Sequence, residues 1–196
     1  MKGFGLINYG VGNIRSIYNM FNYLGLNIDI INNPLELKYY DKIILPGVGS
    51  FKHCMKEIKS KNFDEEIKNF VENKKILLGI CVGMQILCSS STEGGLTNGL
   101  NFFDEKIEKF NSNEVNGNPI PHIGFNTVFA TQDSQLFKDF DKNLDFYFIH
   151  SYRLRSLTKK KNLSYFDYGK KFVSSLEKDN IFGVQFHPEK SQLSGI

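Results

Sequence analysis

Strand-like and helical segments alternate through the first half of this chain, and that alternation constrains its fold more than any other feature. Apolar runs typical of strands lie at Phe4–Tyr9, Ile28–Ile31, Lys42–Leu45 and Ile76–Ile80. Apolar residues recur at helical spacing over 14–24, 51–58 and 63–71. We therefore expect an α/β fold with an open, mostly parallel central sheet and helices on both of its faces.

Strands become shorter and turn residues more frequent from about Leu100 onward. Turn residues cluster at 116–119 and 141–143, and further strand-like runs lie at Tyr147–Ile149, Phe172–Leu176 and Ile181–Phe186. The last two runs predict a hairpin, so the C-terminal half should add antiparallel strands to the parallel core. Because no repeat, linker or low-complexity tract interrupts the chain, we expect residues 1–196 to form a single domain.

Composition and charge exclude several classes of protein. No apolar stretch reaches the roughly 20 residues of a membrane-spanning helix, and the N-terminal residues lack the pattern of a secretion signal. We therefore expect a cytoplasmic protein with no membrane contact. The net charge is only +3, and the basic run Lys159–Lys161 has no interleaved aromatic residues, which indicates a solvated loop and no nucleic-acid partner. The cysteine spacings fit no metal site, and we expect neither a metal nor a cofactor.

Cys81 stands at a corner where a strand is expected to turn directly into a helix. It follows the strand Ile76–Ile80 and is flanked by Gly79 and Gly83, two residues away on each side. This spacing is typical of a tight, strained turn that presents a nucleophile. The helix that follows would direct the partial positive charge of its N-terminus at the sulfur and stabilise a thiolate.

The alternative for each of the three cysteines is that it is a small apolar residue of the core. This is our interpretation of Cys54, which has no glycine frame. It is also our interpretation of Cys88, which we expect about two turns further along the same helix as Cys81.

A cysteine nucleophile needs a base and a group that orients the base. His187 follows the apolar strand Ile181–Phe186, and active sites gather at the carboxyl ends of parallel strands. Pro188 enforces an extended turn, which allows Glu189 to fold back onto the imidazole. The sequence therefore predicts Cys81, His187 and Glu189 as nucleophile, base and orienting carboxylate.

Backbone N–H groups are expected to complete this site by stabilising an oxyanion. The N–H of Val82 follows the nucleophile directly. A second donor is expected from the loop Pro46–Gly49, whose glycines allow amides to turn inward. The alternative for this loop is an ordinary turn at the end of a strand.

Seven short motifs, in order along the chain, resemble those of the class I glutamine amidotransferases. They are residues 8–16, 46–51, 79–85, 93–94, 121–126, 148–152 and 185–191. Members of this family hydrolyse glutamine to glutamate and ammonia with a Cys-His-Glu triad. Within the family, the motifs are most similar to those of the glutaminase subunits of imidazole glycerol phosphate synthases. The resemblance implies the flavodoxin-like fold of class I glutamine amidotransferases.

The resemblance also implies roles that spacing alone does not assign. Gln85 and Glu93 would hold the polar ends of the glutamine substrate. A carboxylate is a natural partner for the α-ammonium; otherwise, Glu93 would be an ordinary loop residue. Further residues would line the pocket or donate to the oxyanion. The pocket residues are Gly47, Gly49, His150, Ser151 and Tyr152, and the oxyanion donors are Val82, Val48 and Gly49. The Val48 N–H would turn toward the site when a partner binds.

That partner, by resemblance, is a separate cyclase subunit with a (β/α)8-barrel fold, joined to this chain in a heterodimer. Ammonia would pass into the barrel, which makes imidazole glycerol phosphate and aminoimidazole carboxamide ribonucleotide in histidine biosynthesis. The implied interface residues are Asn13, Arg15, His122, Phe125, Tyr147 and Lys190. Packing within the subunit is the alternative for His122 and Phe125. Phe125 also departs from the family, which usually has tryptophan there, and so lacks an indole N–H.

Three other functions stay open at this point. The chain could be a paralogous amidotransferase subunit that supplies a different synthase, such as a sugar-modifying enzyme, and only the partner would distinguish it. A regulatory module without activity is disfavoured by the intact triad. A cysteine hydrolase of the intracellular-protease type is disfavoured by Gln85 and Glu93.

Overall fold

The structure, a computed structural model, describes residues 2–140, 144–154 and 162–196. The turn predicted at 141–143 and the basic run Lys159–Lys161 lie outside the described residues. Within the described ranges, no helix is long and apolar enough to cross a membrane.

The described elements follow one another in the predicted order through the first half of the chain. The strands are β1 (Lys2–Ile7), β2 (Ile28–Ile31), β3 (Tyr40–Leu45), β4 (Ile76–Ile80), β5 (Cys88–Ser91), β6 (Thr97–Asn98), β7 (Phe103–Lys109), β8 (His122–Ala130), β9 (Leu144–His150), β10 (Tyr152–Leu154), β11 (Leu163–Tyr168), β12 (Lys170–Lys178) and β13 (Ile181–Val184). The α-helices are α1 (Ile14–Tyr23), α2 (Phe51–Ser60), α3 (Phe63–Glu72) and α4 (Val82–Ile86). Short 3₁₀ helices cover Pro34–Tyr39, Pro188–Lys190 and Gln192–Gly195.

In the part of the chain that the structure describes, the main sheet has nine strands in the order β2-β1-β3-β4-β13-β12-β11-β8-β9. The strands from β2 to β13 pair in parallel, and those from β13 to β9 pair antiparallel. The expected α/β fold with added antiparallel strands is therefore confirmed, as is the hairpin between β12 and β13. A second sheet, in the order β10-β7-β5-β6, was not predicted.

Both faces of the parallel strands are covered. Ile43, Ile44 and Leu45 are consecutive residues of β3, and all three are buried. Because successive strand residues point to opposite faces, their burial requires packing on each side of the sheet. Phe51 and Phe63, the first residues of α2 and α3, are fully buried in this core.

The helix after Cys81 is shorter than predicted. It ends at Ile86, and Cys88 is the first residue of β5 and not part of the helix, so that expectation was wrong. Serines at positions 89 to 91 propagate a helix poorly. The returning chain also takes up the helix-end carbonyls, since the N–H of Leu100 donates to the carbonyl of Ile86. Cys88 is nonetheless fully buried, as expected of a core residue.

Candidate active site

Cys81 lies at a strained corner between β4 and α4. Its φ is 55° and its ψ is −113°, a backbone conformation that residues with a side chain rarely adopt. The backbone packs so closely here that a Cβ on Gly79 would lie 2.8 Å from the carbonyl oxygen of Gly83. A Cβ on Gly47 would likewise lie 2.5 Å from the nitrogen of Gly83. The glycines therefore let β4, α4 and the loop after β3 meet at the thiol.

His187 reaches the same corner just past the end of β13. Its backbone N–H donates to the carbonyl of Tyr147 in β9, at 2.8 Å. The 3₁₀ helix that begins at Pro188 brings Glu189 back, so that its Oε1 lies 2.8 Å from His187 Nδ1. A carboxylate oxygen accepts, so Nδ1 carries the hydrogen and Nε2 is the nitrogen left for Cys81.

The orienting carboxylate is held from a second element. Asn13 occupies the N-cap position of α1, but its side chain makes no capping bond. Its Nδ2 instead lies 3.5 Å from Glu189 Oε1, and its Oδ1 accepts from the Ser16 hydroxyl at 2.9 Å. The Glu189 side chain is fully buried, so Asn13 is positioned to fix it from behind.

His187 is held in its protonated form by its two partners. Burial alone would lower the pKa of His187, but the hydrogen bonds and charges of Cys81 and Glu189 raise it to about 9. A protonated imidazole beside a cysteine favours the thiolate. The three predicted residues therefore form a connected Cys-His-Glu arrangement with a proton stored on the base.

The loop Pro46–Gly49 is held by its carbonyl groups. The Tyr9 hydroxyl donates to the carbonyl of Pro46 at 2.8 Å, and the Cys54 thiol donates to the carbonyl of Val48 at 3.4 Å. Because a trans peptide directs its N–H opposite to its C=O, the Gly49 N–H points away from Cys54. The Tyr9 hydroxyl is buried in this cluster, and burial raises its pKa.

A cavity of about 410 Å³ opens above the thiol and collects most of the predicted site residues. Its walls include Val48, Gly49, Cys81, Val82, Gln85, Glu93, His150, Ser151, Tyr152 and His187. Gly47, within the 46–49 loop, packs against Val82 and Gly83 of α4 and is not among the residues that line the cavity, so its expected contact with the substrate is not supported. The volume suits a small metabolite.

Glu93 is anchored on one side and free for a ligand on the other. Its Oε2 accepts from the N–H of Phe51, at the start of α2, at 2.7 Å. Since Glu93 also lines the cavity, its position is compatible with the predicted contact to an ammonium group. The side chain of Glu93 is therefore held in a fixed position, unlike that of an ordinary loop glutamate.

Gln85 lines the cavity, and the nitrogen of its side-chain amide is engaged by the protein. Its Nε2 donates to the carbonyl of Tyr152 at 3.0 Å and to Oε1 of Gln185 at 2.9 Å. Gln185, for which the sequence predicted no role, is fully buried, and its Nε2 lies 3.7 Å from Cys81 Sγ. Its place at the start of the motif 185–191, which also contains His187, was the signal that could have drawn attention to it.

The outer face of β8 and β9 carries an exposed apolar patch beside the cavity. We call it the hairpin patch; it consists of Ile123, Phe125, Tyr147 and Ile149. Ile123 pairs with Ile149 and Phe125 with Tyr147 across the two strands. Phe125 is 49% exposed, which excludes its alternative role as a core residue. Ile123 and Ile149 lie within the motifs 121–126 and 148–152, but the sequence assigned them no role.

The other predicted interface residues differ in exposure. Arg15 and Lys190 are exposed, and Asn13 is half-buried. Lys190 Nζ lies 5.8 Å from the centroid of the Tyr147 ring, so it borders the hairpin patch. His122 is only 2% exposed and stacks on Phe166. The prediction that His122 faces a partner is therefore wrong, because β8 directs its side chain into the core.

His122 forms a buried pair with His150. The His122 Nδ1 and His150 Nε2 atoms lie 3.3 Å apart, and His150 Nδ1 donates to the carbonyl of Tyr152 at 2.8 Å. Burial lowers the pKa of His122 to about 4 and that of His150 to about 3. Both imidazoles are therefore neutral at pH 7, and they fix the strand segment that lines the cavity.

The fold and this site define a class of protein. The family Glutamine amidotransferase class-I matches residues 5–194, and the chain belongs to that family. Among solved structures, the chain is similar to a glutamine amidotransferase at a TM-score of 0.73 and 17% identity, covering 95% of this chain and 90% of that one. PurLQS from Thermotoga maritima also gives 0.73, at 19% identity and with coverage of 96% and 88%. At these identities, the likeness shows the fold alone.

Particular relatives are much more similar in sequence, and their names confirm the resemblance seen in the motifs. The chain is 41% identical over 194 residues to the imidazole glycerol phosphate synthase subunit HisH of Leptospira interrogans, covering 98% of this chain and 95% of that protein. It is 42% identical over 192 residues to HisH 1 of Campylobacter jejuni and 39% identical over 192 residues to HisH of Chlorobaculum tepidum. Coverage is 97% of this chain and 94% of the relative in both cases.

Proposed function

We propose that this chain is the glutaminase subunit of an imidazole glycerol phosphate synthase. It hydrolyses glutamine to glutamate and ammonia and passes the ammonia to a separate cyclase subunit in histidine biosynthesis. The observation that carries the proposal is that Cys81 and His187 line one cavity and that Glu189 holds His187 from behind. The relatives named above, similar over nearly their whole length, support the choice of synthase.

The reaction begins with attack of the Cys81 thiolate on the side-chain carbonyl carbon of glutamine. The N–H groups of Val82 and of the 46–49 loop stabilise the oxyanion, and one such donor typically contributes about 3 kcal/mol. His187 then gives its proton to the departing ammonia, which leaves a glutamyl thioester on the sulfur. The same imidazole takes a proton from water, the hydroxide adds to the thioester, and glutamate is released with the thiolate restored.

Substrate recognition rests on the cavity walls. The Oε1 of Glu93 binds the α-ammonium of glutamine, since Oε2 is occupied by the helix N-terminus. Gln85 and the segment of His150, Ser151 and Tyr152 form the opposite wall. Gln85 uses its amide hydrogens within the protein, so its contribution is to fix this wall and to offer its Oε1.

The hairpin patch and Lys190 form the surface for the cyclase subunit. Ile149 and Lys190 line the catalytic cavity as well as bordering the exposed face. A partner docked there would cover the mouth of the cavity, and ammonia would leave toward it without crossing bulk water. The complex is a heterodimer with a (β/α)8-barrel, and residues 1–196 act in it as one domain.

We place the protein in the cytoplasm. Its cysteines Cys54, Cys81 and Cys88 are buried and not joined in disulfides, which suits a reducing compartment. The mechanism further requires Cys81 to stay reduced.

A sugar-modifying synthase as partner is not favoured. The three relatives named above share the name of one synthase subunit, at identities of 39% to 42%. A regulatory module without activity is not favoured either, because the triad is intact and connected.

The Val48 N–H turns toward the oxyanion when the partner binds, so the free subunit turns over slowly. Ammonia release should rise by at least tenfold on addition of the cyclase subunit, as expected when one oxyanion donor is gained. Equal turnover of the free and complexed subunit would contradict this arrangement.

The experiment that tests the proposed function is Cys81→Ser in complex with a cyclase subunit. We expect glutamine-dependent synthesis of imidazole glycerol phosphate to fall by a factor on the order of 10⁴ or more, as for other lost nucleophiles. Synthesis from added ammonium should be unchanged, since the barrel is intact. Cys88→Ser, the same exchange at a buried cysteine in β5, is the matched control and should retain glutamine-dependent synthesis. Retention of that synthesis in Cys81→Ser would refute the proposal.

A further inference from the structure

We propose that Gln185 is a further catalytic residue of this site, on the basis of the proposed function. Its side-chain amide donates a hydrogen bond to the sulfur of Cys81, orients that sulfur and stabilises it as the thiolate. Gln185 is the residue directly after β13, two positions before His187. The nucleophile is therefore approached from β13 by two groups, the imidazole and this amide.

The contact lies within hydrogen-bonding distance for a sulfur acceptor, and both residues are buried. Gln185 has no exposed surface and Cys81 is 3% exposed, and the Gln185 Nε2 atom lies 3.7 Å from Cys81 Sγ. The backbone of Gln185 is fixed as well, because its N–H donates to the carbonyl of Ser174 in β12 at 2.8 Å. Since a buried side chain with a fixed backbone has few alternative rotamers, the amide stays directed at the sulfur.

The hydrogen-bond network determines which end of the amide faces the sulfur. The carbonyl of Tyr152 can only accept, so the atom of Gln85 that faces it must be the amide nitrogen. That same nitrogen lies 2.9 Å from Gln185, which must therefore present its oxygen. The remaining end of the Gln185 side chain is its NH₂ group, and this group points at Cys81.

The network is anchored at its far end by the histidine pair. His150 Nδ1 also donates to the carbonyl of Tyr152, at 2.8 Å, so this carbonyl accepts two hydrogen bonds. His150 Nε2 must then accept, and His122 Nδ1 donates to it across 3.3 Å. The buried pair, which the reaction does not otherwise use, thus holds the acceptor that sets the direction of both glutamine amides.

A donated N–H favours the charged form of its acceptor. A thiolate gains more from it than a thiol, and the gain is larger where water is excluded. Gln185 therefore adds a donor to the sulfur that is independent of His187. It does so with a neutral group, which leaves the proton on His187 available for the departing ammonia.

Other titratable groups also face or surround the sulfur, and the test must keep them constant. They are His187 with Glu189 behind it, Tyr9 and Cys54 beside the loop, and Glu93, His150 and Lys190 on the cavity wall. An exchange at position 185 leaves all of them in place. A change in the titration of Cys81 can then be assigned to the amide.

The experiment measures the pH dependence of alkylation of Cys81 by iodoacetamide in the free, full-length protein, with the modified peptide quantified by mass spectrometry. Gln185→Met has a similar volume and removes the donor to the sulfur, together with the acceptor for Gln85. The acid limb of the alkylation profile should move about one pH unit to higher pH, which makes the rate on that limb about tenfold lower, as expected for loss of a hydrogen bond to a charged group. The plateau at high pH should be unchanged. Gln132→Met, at an exposed glutamine, is the matched control, and its alkylation profile should be the same as that of the unaltered protein.

The glutaminase assay in the complex supplies the second readout. Gln185→Met should lower kcat about tenfold and leave KM within about twofold, since Gln85 keeps its hydrogen bond to the carbonyl of Tyr152 and so its place in the cavity wall. An unshifted alkylation profile in a folded variant, or a raised KM with unchanged kcat, would overturn the proposal. Failure of the proposed function alone would abolish the glutaminase readout in the unaltered protein and leave the alkylation test valid.

A measurement without substitution covers the case in which Gln185→Met does not fold. In the ¹⁵N-labelled protein, the side-chain amide resonances of Gln185 should shift with the same pH midpoint as the alkylation rate, and those of Gln132 should not. Gln185 resonances that do not move through that midpoint would contradict the proposed contact.

Discussion

At the scale of single residues, the site depends on where one proton resides. Cys81 and Glu189 hold His187 from both sides, and their hydrogen bonds raise its pKa to about 9 against the opposite effect of burial. The imidazole is therefore charged at neutral pH before glutamine arrives. A stored proton is what the expulsion of ammonia requires.

This charge state predicts the alkaline limit of glutaminase activity. Activity should fall as the pH rises through about 9, because His187 then loses the proton that ammonia takes. Glu189→Gln removes the negative charge beside His187, so the pKa of His187 should fall and the alkaline limb of the activity profile should move to lower pH. Glutamate release by the complex, measured from pH 6 to pH 10, tests both statements. An alkaline limb at the same pH in Glu189→Gln would contradict this role of the carboxylate.

The sequence allowed a role to be predicted for reactive residues that are also flanked by glycine or proline. Cys81 between two glycines and His187 before Pro188 could be assigned because strained turns and strand ends demand particular residues. Gln185 could not be assigned, because its role depends on a directed network through Gln85 that exists only after folding.

At the scale of elements, the β8–β9 hairpin separates a buried face from an exposed one. His122 and His150 are directed inward, and the residues one position away from them, Ile123 and Ile149, are exposed. Motif resemblance placed His122 at the surface, but the alternation along the strand decides its side. The same alternation creates the hairpin patch, which indicates a docking surface.

The hairpin patch predicts a specific loss of partner binding. Phe125→Asp should weaken the affinity for the cyclase subunit at least tenfold, since a buried charge would face an apolar interface. Tyr39→Asp is the matched control, because Tyr39 is 52% exposed and ends the 3₁₀ helix that precedes β3, in the half of the main sheet opposite to β8 and β9. Calorimetric titration of the free subunit with the cyclase measures both affinities. Equal affinities for the two variants would exclude the hairpin patch as the interface.

The short helix α4 shows where element prediction fails. The apolar run after Cys81 gave no signal that separates a long helix from a short helix followed by a strand. Residues 88–91 form a strand and not more helix because they pair with β7, a tertiary contact. The second sheet was missed for the same reason, since its partners are distant in sequence.

At the scale of the whole molecule, the parallel half of the sheet supplies a rigid edge and the antiparallel half supplies the cavity wall. The alternation of strands and helices predicted the first part. The second part brings β9 and β13 to the same corner, which depends on long-range pairing. His187, which follows β13, and the pair of His122 and His150, in β8 and β9, have pKa values that shift in opposite directions, so their effects on stability have opposite pH dependence.

These contributions predict the pH dependence of unfolding. The raised pKa of His187 stabilises the fold at low pH, and this stabilisation is lost as the pH rises from about 6.5 to about 9. Burial lowers the pKa of His122 to about 4 and of His150 to about 3, so stability is lost as the pH falls from about 6.5 toward these values. Each proton taken up on unfolding contributes about 1.4 kcal/mol per pH unit.

His122→Phe should therefore reduce the acid-side slope by about one proton. Phenylalanine suits a site that stacks on Phe166. Urea denaturation between pH 4 and pH 7 measures the free energy of unfolding of both proteins. An unchanged slope in the variant would show that His122 is not neutral in the folded state.

The measurement that tests the account most directly is a search for the glutamyl thioester. The complex is mixed with glutamine, quenched with acid during turnover and digested. The masses of the cysteine-containing peptides are then measured by mass spectrometry. We predict a glutamyl adduct on the peptide that carries Cys81 and none on those that carry Cys54 or Cys88. Steady ammonia release with no adduct on Cys81, or an adduct on another cysteine, would contradict the proposed mechanism.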